Sequence, residues 1–279
     1  MDLIRLNPML NVAANSRAVL STNQLRGYSL HALIFKRGGT FTAAHMTNVR
    51  IRLGGKAIVD TITGTHIAAM NAYRGITDTS GYLTLPFGDP TARTIRGQHL
   101  GDLDLSVYDN NLEIQVDIGA ATSPTLEVLA LVSVSKSAMN LGYADKDILT
   151  FRAIVPTEVT LDAAATRQAI QVAGGGIGSV FSGVYFFHTY LTKLEYKKQS
   201  LLKWEDITIA EAANVASIYG RTAQSGLYVL DRTVDGNQSE AENTVDSQGK
   251  AWNQQFLATS SAGDTLQIFV DTFTNFGIL

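Results

Sequence analysis

The sequence predicts an all-β chain built as two tandem barrels of about eight strands each, with short helices in the connecting loops. Three observations predict it. Short runs rich in Val, Ile, Thr, Tyr and Phe recur between clusters of Gly, Asn, Asp and Ser, the pattern of sandwiches and barrels. The second half of the chain echoes the first at the length of a whole domain. No residue pattern that carries catalytic chemistry interrupts either half.

The strand candidates of the first half are 28–35, 49–59, 81–87, 103–108, 112–118 and 126–134. Those of the second are 148–154, 157–161, 169–172, 184–191, 194–204, 226–231, 255–258 and 266–273. In 184–191, alternation sends Tyr185, Phe187 and Thr189 to one face and Phe186, His188 and Tyr190 to the other, so this strand is expected to be buried on both faces. Residues 84–97 and 235–250, polar and glycine-containing, are expected to be long loops at barrel ends.

The repeat rests on two matches. Gly75, Thr77, Ser80, Gly81 and Leu85 recur as Gly220, Thr222, Ser225, Gly226 and Leu230, at a constant offset of 145 residues. Leu112, Ile114, Val116 and Asp117 recur as Leu266, Ile268, Val270 and Asp271 at an offset of 154, which implies nine extra residues in the second copy, placed in 235–250. Upstream of the first match the alternating stretches 47–53 and 192–196 read as strands, each followed by a short helix ending at the shared glycine. Thr208 and Glu211 have capping-box spacing for the second helix; Thr63 occupies the equivalent position in the first, without the acid. A repeat this long is a domain and not a solenoid unit. The domains are read as 1–144 and 145–279, joined through 139–147, a linker too short for free tumbling. About 140 residues with eight strands is the size of one jelly roll.

Composition bounds the function. Of 279 residues 45% are apolar and 17% charged, below the usual quarter, which suits a surface that ends against neighbours. The net charge of −3 gives no basic stripe for phosphate, so no direct nucleic-acid binding is expected. The absence of cysteine excludes disulfides, thiolate nucleophiles and zinc–thiolate sites. The first twenty residues lack the apolar core of a signal peptide, and no apolar run reaches membrane-spanning length.

Site chemistry is sparse. His31, His45, His66, His99 and His188 are scattered with no metal-binding spacing. Gly174, Gly175, Gly176 and Gly178 lack phosphate-loop spacing and read as a turn. Glu205, Asp206, Asp235, Glu240, Glu242 and Asp246 offer oxygen ligands without calcium-loop spacing. No catalytic, cofactor or metal residue is therefore assigned; structural calcium stays open, with no ligands named. The protein is not expected to be an enzyme.

Four stretches carry a family resemblance: Leu6, Asn7, Leu10, Asn11, Val12, Ala13 and Ala14, the run from Asn48 to Gly55, Leu112 to Ile118, and Ile268 to Thr272. With them, these twin all-β units without catalytic signal resemble the major capsid protein of corticoviruses, membrane-containing phages. The resemblance implies a double jelly roll and a homotrimer whose six barrels form a pseudo-hexagonal tile of an icosahedral shell over an internal membrane. The implied partners are neighbouring trimers, penton or minor capsid proteins and the viral membrane. The implied location is the virion, after synthesis in the host cytoplasm. Residues 1–10 read either as an arm near lipid or as a terminal strand on its own barrel. The alternatives are a phage minor coat or spike protein and a jelly-roll carbohydrate-binding module.

Overall fold

The computed structural model of the protein describes residues 1–108, 111–139, 141–172 and 178–278. The first half runs β1 (Asp2–Arg5), β2 (Ser16–Thr22), β3 (Tyr28–Gly38), β4 (Met46–Leu53), β5 (Lys56–Ile62), α1 (Gly64–Tyr73), β6 (Tyr82–Pro86), α2 (Ile95–Leu100), β7 (Leu103–Asp104), β8 (Leu112–Ile118) and β9 (Thr125–Val134). The short α3 (Asp145–Ile148) follows. The second half runs β10 (Phe151–Leu161), β11 (Gln168–Ile170), β12 (Val180–Phe187), β13 (Leu191–Lys198), β14 (Leu201–Thr208), α4 (Ile209–Ile218), β15 (Leu227–Asp231), β16 (Glu242–Asn243), β17 (Gln254–Ser260) and β18 (Asp264–Thr274).

The two halves have one topology. In the first, the order β1-β9-β3-β6, with β7 also on β3, faces β5-β4-β8-β2. In the second, β10-β18-β12-β15, with β16 on β12, faces β14-β13-β17-β11. Adding nine to every strand label of the first half gives the second. Each unit, among the described residues, is eight longer strands plus a two-residue one, a jelly roll. The offset of 145 holds without a gap from β4 through α1 to β6, which map residue for residue onto β13, α4 and β15. Thr63 accepts from the His66 N–H and Thr208 from the Glu211 N–H, while the Glu211 carboxylate accepts from Thr208. Gly75 and Gly220 end the two helices in the left-handed region, at φ 75° and 74°.

Alternation builds the cores. Leu33 and Phe35 of β3 and Val128 and Ala130 of β9 meet Val49 and Ile51 of β4 and Ile114 of β8. In the second unit Val184 and Phe186 of β12 and Ile268 and Val270 of β18 meet Leu194 and Tyr196 of β13 and Phe256 of β17. Each such large side chain contributes about 1.5–3 kcal/mol on burial.

Several expectations are corrected. The second repeat match pairs the wrong strands. Leu112 to Asp117 lie in β8, whose counterpart is β17, whereas Leu266 to Asp271 lie in β18, the counterpart of β9. The likeness is the shared alternation of buried strands, and the nine-residue insertion falls with it: the equivalent connections are 87–111 and 232–253. Candidates 49–59 and 194–204 are hairpins, β4–β5 and β13–β14. Their two-residue turns are Gly54-Gly55 (φ 56° and 82°) and Gln199-Ser200 (φ 51° and 65°). Positive φ at both central residues matches strand twist, and Gln-Ser carries no sequence signal for it. Candidates 148–154 and 157–161 form the single strand β10, which runs through Pro156 opposite Phe269 of β18; the parallel pairing of β10 with β5 is Ile154 with Val59. Candidate 103–108 contracts to β7. Residues 84–97 split between the end of β6, a loop and the start of α2. Residues 235–250 hold a 3-10 turn and β16.

Candidate assembly site: the seam and its counterpart

The β5–β10 pairing makes β5-β4-β8-β2 and β10-β18-β12-β15 one continuous sheet spanning both units. Helix α1 of the first unit covers the outer face of the second unit's strands. The His66 ring lies 4.3 Å from that of Phe187 and 4.9 Å from that of Phe269, and Tyr73 meets Tyr185 edge to face. The aromatic strand β12 is thus buried on both faces, Tyr185 and Phe187 in the seam and Phe186 in its own core. Tyr190, beyond the strand end, is 47% exposed.

Charge is buried in the seam. Arg74, at the end of α1, donates to Asp271 of β18 and, at 2.8 Å, to the Tyr185 hydroxyl. Arg152 of β10 holds both Asp271 oxygens, at 2.6 and 2.9 Å, and donates to the Pro86 carbonyl of the first unit. Burial opposes the Arg74 charge, but Tyr185, Asp271, Asp89 and Asp231 outweigh it and raise the pKa. Burial also opposes ionisation of Asp89; Arg74 and the Thr91 hydrogen bonds win and lower its pKa. At Asp231 burial wins and the pKa rises, although Arg221 is near and Tyr73 donates at 3.3 Å. Removing one member of such a network strands the others, so it fixes how one unit sits on the other.

The same elements recur on the far sides of the chain without cover. Tyr73 and Arg74 are buried; their repeat counterparts Ile218 and Tyr219 are 68% and 47% exposed. Strand β5 is paired on its outer side; its counterpart β14 is an edge strand with Leu201 64% exposed. Strand β10 lies inside the nine-stranded sheet; its counterpart β1 is an edge with Leu3 59% exposed. On the outer face of β3 and β9, Ile34, Leu129 and Leu131 are half-buried. Residues 1–10 take the terminal-strand reading: β1 pairs with β9, and Leu6 and Met9 are buried.

The other sequence candidates disperse. Asp206 pairs with Lys193 at 2.7 Å, Glu242 with Lys198 and Arg232, and Asp235 with Arg93 at 3.7 Å. Asp246 accepts from the backbone of its own turn. Residues 174–177 of the glycine run lie outside the described residues; Gly178 is at φ 100°. Two scattered histidines do converge: His31 of β3 and His99 of α2 meet at Asp102, a group that spacing along the chain does not reveal. No helix among the described residues is long and apolar enough to cross a membrane.

Two jelly rolls of one topology, fused through a shared sheet and a buried seam, define a double jelly roll. Solved structures agree in fold. The major capsid protein P2 of bacteriophage PM2 superposes with a TM-score of 0.84 at 17% identity, over 99% of this chain and 97% of that one. A chain of Sulfolobus Turreted Icosahedral Virus gives 0.71 at 10% identity, over 98% and 90%. The PBCV-1 virus capsid gives 0.62 at 10%, over 98% and 92%. No curated protein sequence matches. Sequence models of the viral coat protein P2 N-terminal and C-terminal domains match residues 3–135 and 154–275. The chain belongs to the viral coat protein P2 family. It is a viral coat protein, a structural component of the virion and not an enzyme.

Proposed function

We propose that the protein works as a homotrimer, a pseudo-hexagonal tile of six barrels, each chain supplying 1–144 and 145–279 as its two units. The observation that supports this reading is the seam's uncovered counterpart. Inside the chain, α1 and β5 of one unit meet the outer face and edge of β10-β18-β12-β15. The repeat gives the chain a second helix, α4, and a second edge, β14, on one side, and a second receiving sheet, β1-β9-β3-β6, on the other. A second copy of the chain satisfies both. Repeating one seam alternately within and between chains closes a ring, where a non-closing contact would give fibres. An interface of this kind buries about 2,000 Å² or more and resembles a core cut in half.

The tiles then associate with neighbouring trimers and with penton or minor capsid proteins through barrel-end loops such as 87–111 and 232–253. The likeness to corticovirus coats supports a shell over an internal membrane, with synthesis in the host cytoplasm. Light scattering on the purified protein tests the core of the reading. Three chain masses at micromolar concentration are expected; a monomer that persists at that concentration refutes the trimer.

A further inference from the structure

We infer that His31, His99 and Asp102 form a binding site for one divalent transition metal ion of the zinc type, which ties the α2-bearing connection to strand β3. Three ligand atoms point at one another. His31 Nδ1 lies 2.5 Å from Asp102 Oδ2, His99 Nδ1 lies 2.8 Å from the same oxygen, and the two Nδ1 atoms are 3.1 Å apart. Asp102 is fully buried and His31 nearly so, with side-chain exposures of 0% and 6%.

The fold builds this convergence. His31 sits at a bulge in β3, where the register with β9 slips between Leu30 and Ala32. The equivalent slip in β12, between Phe181 and Gly183, carries Ser182. A bulge re-aims a side chain, and only the first unit uses it to turn an imidazole toward the loop. His99 and Asp102 are three residues apart around the end of α2, with the Asp102 N–H donating to the His99 carbonyl. Gly88 lets the loop approach: a Cβ there would lie 2.5 Å from Asp102 Oδ1 and 2.6 Å from the Gln98 carbonyl.

Hydrogen bonding alone serves this group poorly. Both imidazoles compete for one carboxylate oxygen, while the other, Asp102 Oδ1, is buried without a partner. The Lys136 ammonium, within electrostatic reach of Asp102, donates its hydrogen bonds to the carbonyls of Leu100 and Thr150 instead. A divalent ion instead takes a lone pair from each Nδ1 and from the carboxylate and supplies the charge that a buried carboxylate needs. Two nitrogens and one oxygen suit zinc and its neighbours; calcium and magnesium take oxygen shells. A cavity of about 190 Å³ lined by His31, His99, Met1, Gln98 and Leu131 lies beside the two imidazoles. The ion would anchor a loop that reaches the linker, because Arg96 of α2 pairs with Asp147 of α3 and accepts from Tyr143 through its carbonyl at 2.8 Å.

The test is metal loading of the intact protein. Chain stripped with EDTA and dialysed against zinc is expected to retain one ion per chain by elemental analysis. X-ray absorption at the zinc edge is expected to show two imidazole ligands. His99→Gln is expected to weaken zinc binding about 100-fold or more, and to abolish a zinc-dependent rise in Tm of roughly 5 °C, while His45→Gln changes neither. No retained zinc, a shell of oxygens alone, or unchanged affinity in His99→Gln overturns the site. The absorption measurement on unsubstituted protein decides the matter even where His99→Gln fails to fold.

Discussion

At the scale of single residues, the seam makes one histidine behave as an aromatic ring. His66 packs between Phe187 and Phe269, and its Nδ1 is buried without a hydrogen-bond partner. Burial lowers its pKa from 6.5 to about 4. The unfolded chain therefore takes up this proton near pH 6.5, while the folded chain refuses it until about pH 4. Between those values the unfolded state binds more protons. The contribution is fully present above pH 6.5 and is lost as pH falls through 4. His66→Phe keeps a ring in the slot and removes the titration. Its Tm should fall less than that of the parent between pH 7 and pH 4. His188, whose pKa burial also lowers, acts equally in both proteins and cancels in the comparison. Parallel Tm curves would show that His66 is not a proton-excluding part of the seam.

At the scale of elements, α1 and α4 are one design in two settings. Both begin at a threonine cap and end at a left-handed glycine, but α1 is packed into the seam and α4 buries only Ala216. A helix of ten residues is marginal without packing, so α4 depends more on its ends. Thr208→Ala should cost about 1 kcal/mol, read as a lower urea midpoint at unchanged slope, and more than Thr63→Ala costs at the packed helix. Equal losses would contradict this division. These helices were legible in the sequence because capping chemistry is local: a hydroxyl, an acid three residues on, a glycine at the end. The eight-strand units were legible because alternation is local too. What was not legible is what joins strands. Gln199-Ser200 adopts a turn that its residue types do not announce, which made one strand of two. Leu112 to Asp117 and Leu266 to Asp271 look alike because both are buried strands, although they hold different places in the barrel. His31 and Asp102 meet across 71 positions through a bulge and a loop, and no periodicity encodes that. Arg74 is a polar residue at a helix end until the partner strand brings Asp271 to it.

At the scale of the whole molecule, the internal seam specifies what an external copy of it contains. Ile34 of β3 faces Leu129 and Thr84, and Tyr185 of β12 faces Phe269 and Val229; Thr84 and Val229 stand 145 apart. Two residues further along β9 and β18, Leu131 occupies the place of Asp271. Tyr219 occupies the place of Arg74. In the proposed trimer the buried ion pair that locks the two units of one chain would map onto Tyr219 of one chain against Leu131 of the next, an apolar pair. Such a difference would keep the two seams distinct: an arginine offered to Leu131, or a tyrosine offered to Asp271, would leave a charge unpaired in an apolar setting, at about 3–5 kcal/mol. It also gives the trimer a test by exchange. Leu131→Asp alone should shift the protein to monomer with its circular dichroism unchanged, because a carboxylate then faces a tyrosine in a desolvated slot. Tyr219→Arg added to it recreates the Arg74–Asp271 arrangement between chains and should restore three chain masses in light scattering. A double variant no more associated than Leu131→Asp, or a single variant that stays trimeric, would mean that the contact between chains does not repeat the contact within one.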